Sequence, residues 1–241
     1  MTSNKIIQSL WIGNKVSILE KLCIKSFLDN GHEFHLYVYD GEIENCPEGT
    51  IFKDANEIIP KESVYKDIVN SYTSFANWFR YKLLYERGGW WVDMDVVCLK
   101  KFDFRDDYCF TTEVIFDYGP PMTITNNAII KAPKKADFLS NMLALMEQKD
   151  LITASWGKFG SRFLERVLKH YDSKAYIQPT HVFCPINWHQ ISLFFKENVD
   201  MTFDDSYAIH LWNNIWSKHS INKNATFHPN SIIEKLKAQY L

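Results

Sequence analysis

Apolar and polar positions change period several times along the first 130 residues. "KIIQSLWIG" (5–13) reads as a strand ending at Gly13. "VSILEKLCIKSFLDNG" (16–31) sets Ile18, Leu22, Cys23 and Phe27 at helical spacing and stops at Asn30-Gly31. "HEFHLYVYD" (32–40) alternates as a second strand, so the three predict a βαβ unit. Helices are expected over "PKESVYKDIVN" (60–70) and "TSFANWFRYKLLYERGG" (73–89), the second stopped by Gly88-Gly89. Strands follow at 108–116 and 122–131, and helices at 136–148 and 159–171. Shorter pieces lie near 176–183 and 206–212, and the last helix spans 230–240. No repeat or linker interrupts the pattern, which predicts a single α/β domain with an elaborated second half.

"GGWWVDMDVVCL" (88–99) predicts one strand carrying two acids. Side chains on a strand alternate between faces. Trp90, Val92, Met94 and Val96 then form a wholly apolar face, and Trp91, Asp93, Asp95 and Val97 the other. The two carboxylates lie roughly 7 Å apart at Cα by strand rise. Their repulsion calls for a counter-charge, and a divalent cation supplies it. The competing reading is a pair of solvated turn carboxylates, but apolar residues flank this pair on both sides. Carboxylate oxygens suit Mg²⁺ or Mn²⁺, ions that commonly share their shell with phosphates, so a metal–diphosphate site is expected.

On the preceding helix, Asn77 and Arg80 share one face beside an apolar stripe of Phe75, Phe79 and Leu83. Arg80 reaches the same crevice through a short loop. There it binds phosphate or sugar hydroxyls, or pairs with Asp93; both readings stay open. Asp40 and the acidic pair both sit near carboxyl ends of strands, where α/β sheets gather ligands.

Composition narrows the class. Apolar residues make up 46% of 241, with 17 Phe, 12 Tyr and 8 Trp, which favours a large aromatic core over disorder. A formal charge of −2 gives no general affinity for nucleic acid. Five cysteines without a C-x-x-C motif argue against a zinc knuckle and for reduced cytosolic thiols. No apolar run reaches transmembrane length. A cytoplasmic location is therefore expected.

"SFANWFRYKLLYERGGWWVDMDVVCLKKF" (74–102) resembles the signature of DxD glycosyltransferases with a sugar-binding-region motif. That group includes capsular and lipooligosaccharide transferases and α-1,4-galactosyl- and N-acetylglucosaminyltransferases; the clostridial toxin glucosyltransferases are more distant. "KIIQSLWIG" resembles their opening, and "AIHLWNNIW" (208–216) the H-x-W-N ending of the α-1,4 enzymes. Asn77 departs from the usual Asp, Gln8 from the frequent His, and Trp91 from the usual Tyr.

The resemblance implies a GT-A-type fold with a mixed central sheet flanked by helices. Residues 1–100 would form its nucleotide-binding half, and 101–241 an acceptor half with a C-terminal lid. It implies a nucleotide-sugar donor, with UDP the expected base carrier, and a glycan or glycolipid acceptor in capsular polysaccharide or lipopolysaccharide synthesis. Peripheral association with the inner membrane goes with that acceptor. It implies Mn²⁺ or Mg²⁺ bound directly by Asp95, with Asp93 on the ribose or sugar and touching the metal through water. Arg80, Asn77 and Trp91 hold the donor sugar, and Asn127 contacts donor or acceptor unless it is a turn residue. Trp11 stacks on the nucleobase, or else packs in the core. His210 completes the metal shell, or is an ordinary packed imidazole. Trp212 and Trp216 close over the donor, or simply pack. His189 has no assigned role.

Retention of the α anomer is expected. An inverting route needs a base on the opposite face, and the central acids Glu113 and Asp117 match no motif. Two rival classes remain. A glycoside hydrolase would need carboxylates on opposite sides of a scissile bond, and an idle sugar-nucleotide or carbohydrate binder would fit the departures at Asn77 and Gln8.

Overall fold

The computed structural model describes residues 3–116, 119–149, 151–153 and 157–241, so Asp117 lies outside the described residues. In chain order the elements are β1 (Ile6–Leu10), α1 (Ile18–Asp29), β2 (Glu33–Val38), β3 (Ile51–Asp54) and α2 (Thr73–Arg87). Then come β4 (Gly89–Val92), β5 (Val96–Cys98), β6 (Cys109–Ile115), β7 (Met122–Ala132), α3 (Asp137–Glu147) and α4 (Ser161–Leu168). The chain ends with α5 (Thr180–Phe183), β8 (Ala208–His210), α6 (Asn213–Lys218) and α7 (Ile232–Tyr240).

Six strands form the central sheet in the order β3-β2-β1-β4-β7-β6. The first four run parallel, and β7 and β6 are antiparallel additions. The expected mixed α/β sheet flanked by helices is the one observed. Strand order reverses at β1, which pairs with β2 on one side and β4 on the other. The carboxyl ends of β1 and β4 are therefore adjacent at a topological switch point, where open α/β sheets bind ligands.

Each sheet face has its own core. Leu19, Leu22 and Phe27 of α1 pack with α7 and much of the C-terminal half on one face. Phe75, Phe79 and Leu83 of α2 pack with α3 and α4 on the other. Neighbouring Trp90 and Trp91 enter opposite cores, as strand alternation requires. Gln8 accounts for its own departure: its amide donates to Gly88 O at 2.8 Å and Trp90 O at 3.2 Å, tying β1 to the turn that opens β4.

Three expectations change. Residues 60–70 form no α-helix, only a 3₁₀ turn at Lys61–Ser63 and a loop. The Asp67 carboxylate accepts the amides of Val69 at 3.2 Å and Ser71 at 3.0 Å, offering the backbone a turn in place of a helix. Strand β3 was not anticipated, because its four residues alternate too briefly to signal. The acidic segment is not one strand: β4 ends at Val92, the chain turns through Asp93, Met94 and Asp95, and β5 pairs with β8 in a separate two-stranded sheet. Among the described residues, no helix is long and apolar enough to cross a membrane.

Candidate active site

The turn between β4 and β5 presents both acids at the switch point. Asp93 N donates to Ala128 O of β7 at 2.8 Å, fixing the turn to the main sheet. On the other side Leu211 N donates to Asp95 O at 2.8 Å, and β8 pairs His210 with Val96. This places His210 beside Asp95 despite their distance in sequence. One ligand atom from each of Asp93, Asp95 and His210 lies within 4.8 Å of the others.

Each acid is held differently. Asp95 Oδ1 lies 3.2 Å from His210 Nε2, and its Oδ2 accepts Asn213 N at 2.8 Å, capping the start of α6. That approach depends on Trp212, whose φ of 59° and ψ of 47° place a bulky residue in the left-handed region. Such a conformation costs about 1–3 kcal/mol. Burial of the indole, with Nε1 donating to Ile186 O at 2.7 Å and the ring 3.9 Å from that of His210, offsets it. Asp93 Oδ1 lies 2.7 Å from Arg80 Nη2 and accepts Trp91 Nε1 at 2.8 Å.

Arg80 is a three-way anchor. It pairs with Asp93, donates to Asn127 O, and lays its guanidinium 4.9 Å from the centre of the Trp91 ring. Asn127 Nδ2 in turn donates to Asn77 Oδ1 at 2.8 Å and to Tyr81 OH at 3.1 Å. The Asn77 amide oxygen thus serves as acceptor with no added buried charge. Asn126 lies at an irregularity in the β6–β7 register, and its side chain accepts Ala128 N at 2.6 Å.

The electrostatics separate the two acids. Burial pushes the Asp93 carboxyl up; Arg80 opposes that shift and the charge of Asp95 adds to it. Burial also disfavours ionised Asp95, but His210 outweighs it and holds the carboxyl below its usual value. For His210, burial opposes protonation, and the Asp95 charge overrides it so that the imidazole binds its proton well above its usual range.

The sequence-named residues divide by place. Asp93, Asp95 and His210 converge, with Trp212 against His210. Asn77, Arg80, Trp91 and Asn127 are buried in the layer behind Asp93. Trp11 is half-buried just beyond β1, with Nε1 donating to Lys15 O at 3.2 Å. Trp216 is buried and packs against Phe195, with ring centres 4.9 Å apart. That favours the packing reading over a lid for this residue. Asp40 pairs with Lys61 on the surface. Lys223 carried no signal in the sequence. Its Nζ lies 2.5 Å from Glu20 and 5.9 Å from the centre of the Trp11 ring, and its charge favours ionised Asp95.

Two family models match consecutive parts of the chain. Residues 18–112 match the glycosyltransferase sugar-binding region containing the DXD motif. Residues 132–240 match the alpha 1,4-glycosyltransferase conserved region. The chain is a glycosyltransferase, similar in its first half to the DXD sugar-binding region and in its second to the alpha 1,4-glycosyltransferase region. Such enzymes imply a nucleotide-sugar donor and a glycan acceptor, and they usually bind a divalent metal. No curated protein sequence matches the chain. Among solved structures, one described as PaToxG glycosyltransferase is similar over 69% of each chain, at 18% identity and a TM-score of 0.47. A transferase mutant is similar over 77% of this chain and 90% of its own, at 12% identity and a TM-score of 0.41. The CTP:phosphocholine cytidylyltransferase of Streptococcus pneumoniae is similar over 72% and 88%, at 12% identity and a TM-score of 0.35.

Proposed function

We propose that the chain transfers a hexose from a UDP-sugar to a hydroxyl of a surface glycan or glycolipid, with retention at the anomeric carbon and with Mn²⁺ or Mg²⁺. The observation that carries this reading is the Asp93–Asp95–His210 group at the junction of β1 and β4. Two carboxylates and an imidazole fit a divalent cation. The imidazole favours Mn²⁺, because Mg²⁺ binds oxygen almost exclusively. Asp95 and His210 would be direct ligands. Asp93, already held through Oδ1 by Arg80 and Trp91, would meet the donor's ribose or sugar. When bound, such a cation neutralises charge on the departing diphosphate.

The remaining residues orient and shield. Arg80 fixes Asp93, Asn127 O holds Arg80, and Asn77 holds the Asn127 side chain. Trp11 offers a flat ring to the nucleobase, and Lys223 beside it adds positive charge for the diphosphate. The short spacing of the acids also speaks against a hydrolase, whose carboxyls stand at least about 5 Å apart across the scissile bond. Ile68 and Val69, 63% and 56% exposed in the loop before α2, supply apolar surface on the site's side of the sheet. They suit a glycolipid acceptor at a membrane surface.

Thermal denaturation against a panel of nucleotide sugars, with and without Mn²⁺, tests the reading. A UDP-sugar at a hundred times its dissociation constant should add about 2.7 kcal/mol only with the metal. Trp11→Ala should weaken UDP-sugar and UDP alike, by about 1–3 kcal/mol if the ring stacks on the base. Unchanged UDP affinity would return Trp11 to a packing role. Retention makes the new linkage an α-glycoside, seen in the anomeric proton of freshly formed product. A β linkage would refute retention and direct the search for a base to Glu113 and Asp117.

A further inference from the structure

Phe116, Trp188 and His189 form an aromatic cluster with no part in the metal-binding group. Their rings meet edge to face: Phe116 lies 4.6 Å from His189 and 6.2 Å from Trp188, and Trp188 lies 5.6 Å from His189. Phe116 is 47% exposed, and His189 is exposed beside it. Isolated exposed apolar residues are ordinary, whereas a held aromatic surface beside a site is a common mark of ligand binding.

The cluster is built rather than incidental. Trp188 Nε1 donates to Val114 O at 2.9 Å, and Asn187 Oδ1 accepts Val114 N at 3.1 Å, so the segment is fastened to the outer edge of β6. The Asn187–Gln190 capping box fixes the turn that carries Trp188 and His189. The same segment reaches back to the metal-binding group. Ile186 O accepts the indole of Trp212, whose ring lies 3.9 Å from that of His210. A single residue, Asn187, separates Ile186 from Trp188, a span of roughly 7 Å at most. The cluster also sits where β6 and β7 overhang the carboxyl end of β4, since Val92 pairs with Ile129 and β7 begins at Met122.

We propose that Phe116, Trp188 and His189 form a subsite for a pyranose ring of the acceptor glycan, one or more sugar units away from the hydroxyl that receives the transferred hexose. This rests on the transferase reading above. Rigid aromatic faces suit the apolar C–H face of a pyranose, and the imidazole of His189 adds a polar edge for its hydroxyls. The short path to His210 through Ile186 and Trp212 favours an acceptor over a membrane lipid or a second copy of the chain.

Saturation-transfer NMR on the full chain, irradiating aromatic protons, tests the subsite with methyl α-galactoside, lactose, maltotriose and chitotriose. At least one sugar should receive saturation on its ring C–H protons. Phe116→Ala combined with His189→Ala should weaken that binding about tenfold, while Mn²⁺-dependent UDP affinity and thermal stability stay at wild-type values. For a sugar that serves as acceptor, KM should rise with kcat held. Failure of every sugar to bind, or equal binding by the double variant, overturns the subsite. So does a double variant whose only loss is sedimentation with phosphatidylglycerol vesicles or self-association. Metal-dependent hydrolysis of the donor without acceptor reports on the transferase reading separately.

Discussion

Asp95→Asn is expected to lower kcat by at least about 10²–10³-fold, the scale of removing one electrostatic stabiliser from an active site. Asparagine is a better probe than alanine here. Asp95 receives the first amide of α6 and pairs with His210, so truncation removes structural contacts along with the charge. An amide oxygen still accepts Asn213 N while offering a far poorer metal ligand. The variant should still fold, with a lowered denaturation midpoint because buried His210 loses the charge that pairs with it, and it should lose stimulation by Mn²⁺. Chelation of the wild type should reproduce the variant, and added Mn²⁺ should restore only the wild type. Full transfer by EDTA-treated protein would remove the basis for a metal role.

Arg80→Ala should destabilise the fold by roughly 3 kcal/mol, the low end for breaking a buried pair. The low end applies because Asp93 retains 27% side-chain exposure and water replaces part of the lost partner. The substitution also frees Asn127 O and strips the guanidinium from Trp91. Arg80→Lys should recover only part of the loss, since one ammonium cannot pair with Asp93, serve the carbonyl and stack on the indole together. Transfer should fall in both variants through the loss of Asp93 positioning. Denaturation midpoints and kcat measured together check this. An Arg80→Ala protein of wild-type stability would show that Asp93 does not depend on this pair.

The βαβ opening, the long α2 and the strands at 108–116 and 122–131 were legible because their hydrophobic periods are long and their ends carry caps or glycines. The acidic segment was legible in chemistry but not in shape. Alternation placed Trp90 and Trp91 on opposite faces, and in the structure they enter opposite cores. It could not reveal that the chain leaves the main sheet at Asp93, because Val96–Cys98 keeps strand character while pairing with β8. His210 was recognisable only through its H-x-W-N context; its approach to Asp95 is a tertiary fact. Arg80 illustrates the limit of a face argument. The i, i+3 spacing placed it beside Asn77 and facing the crevice, but its burial behind Asp93, as a positioning group, depends on Asp93 and Asn127 O meeting it from other elements. Lys223 looked like any surface lysine, and only the docking of the C-terminal segment on α1 brings it near Trp11.

Titration of the wild-type chain with Mn²⁺, followed by electron paramagnetic resonance with and without UDP, tests the metal–diphosphate site most directly. One Mn²⁺ per chain should leave the free-ion signal, more tightly when UDP is present, and Asp95→Asn should abolish this uptake. A free Mn²⁺ signal unchanged by the wild-type protein in the presence of UDP would contradict the assignment of Asp93, Asp95 and His210 as the metal site.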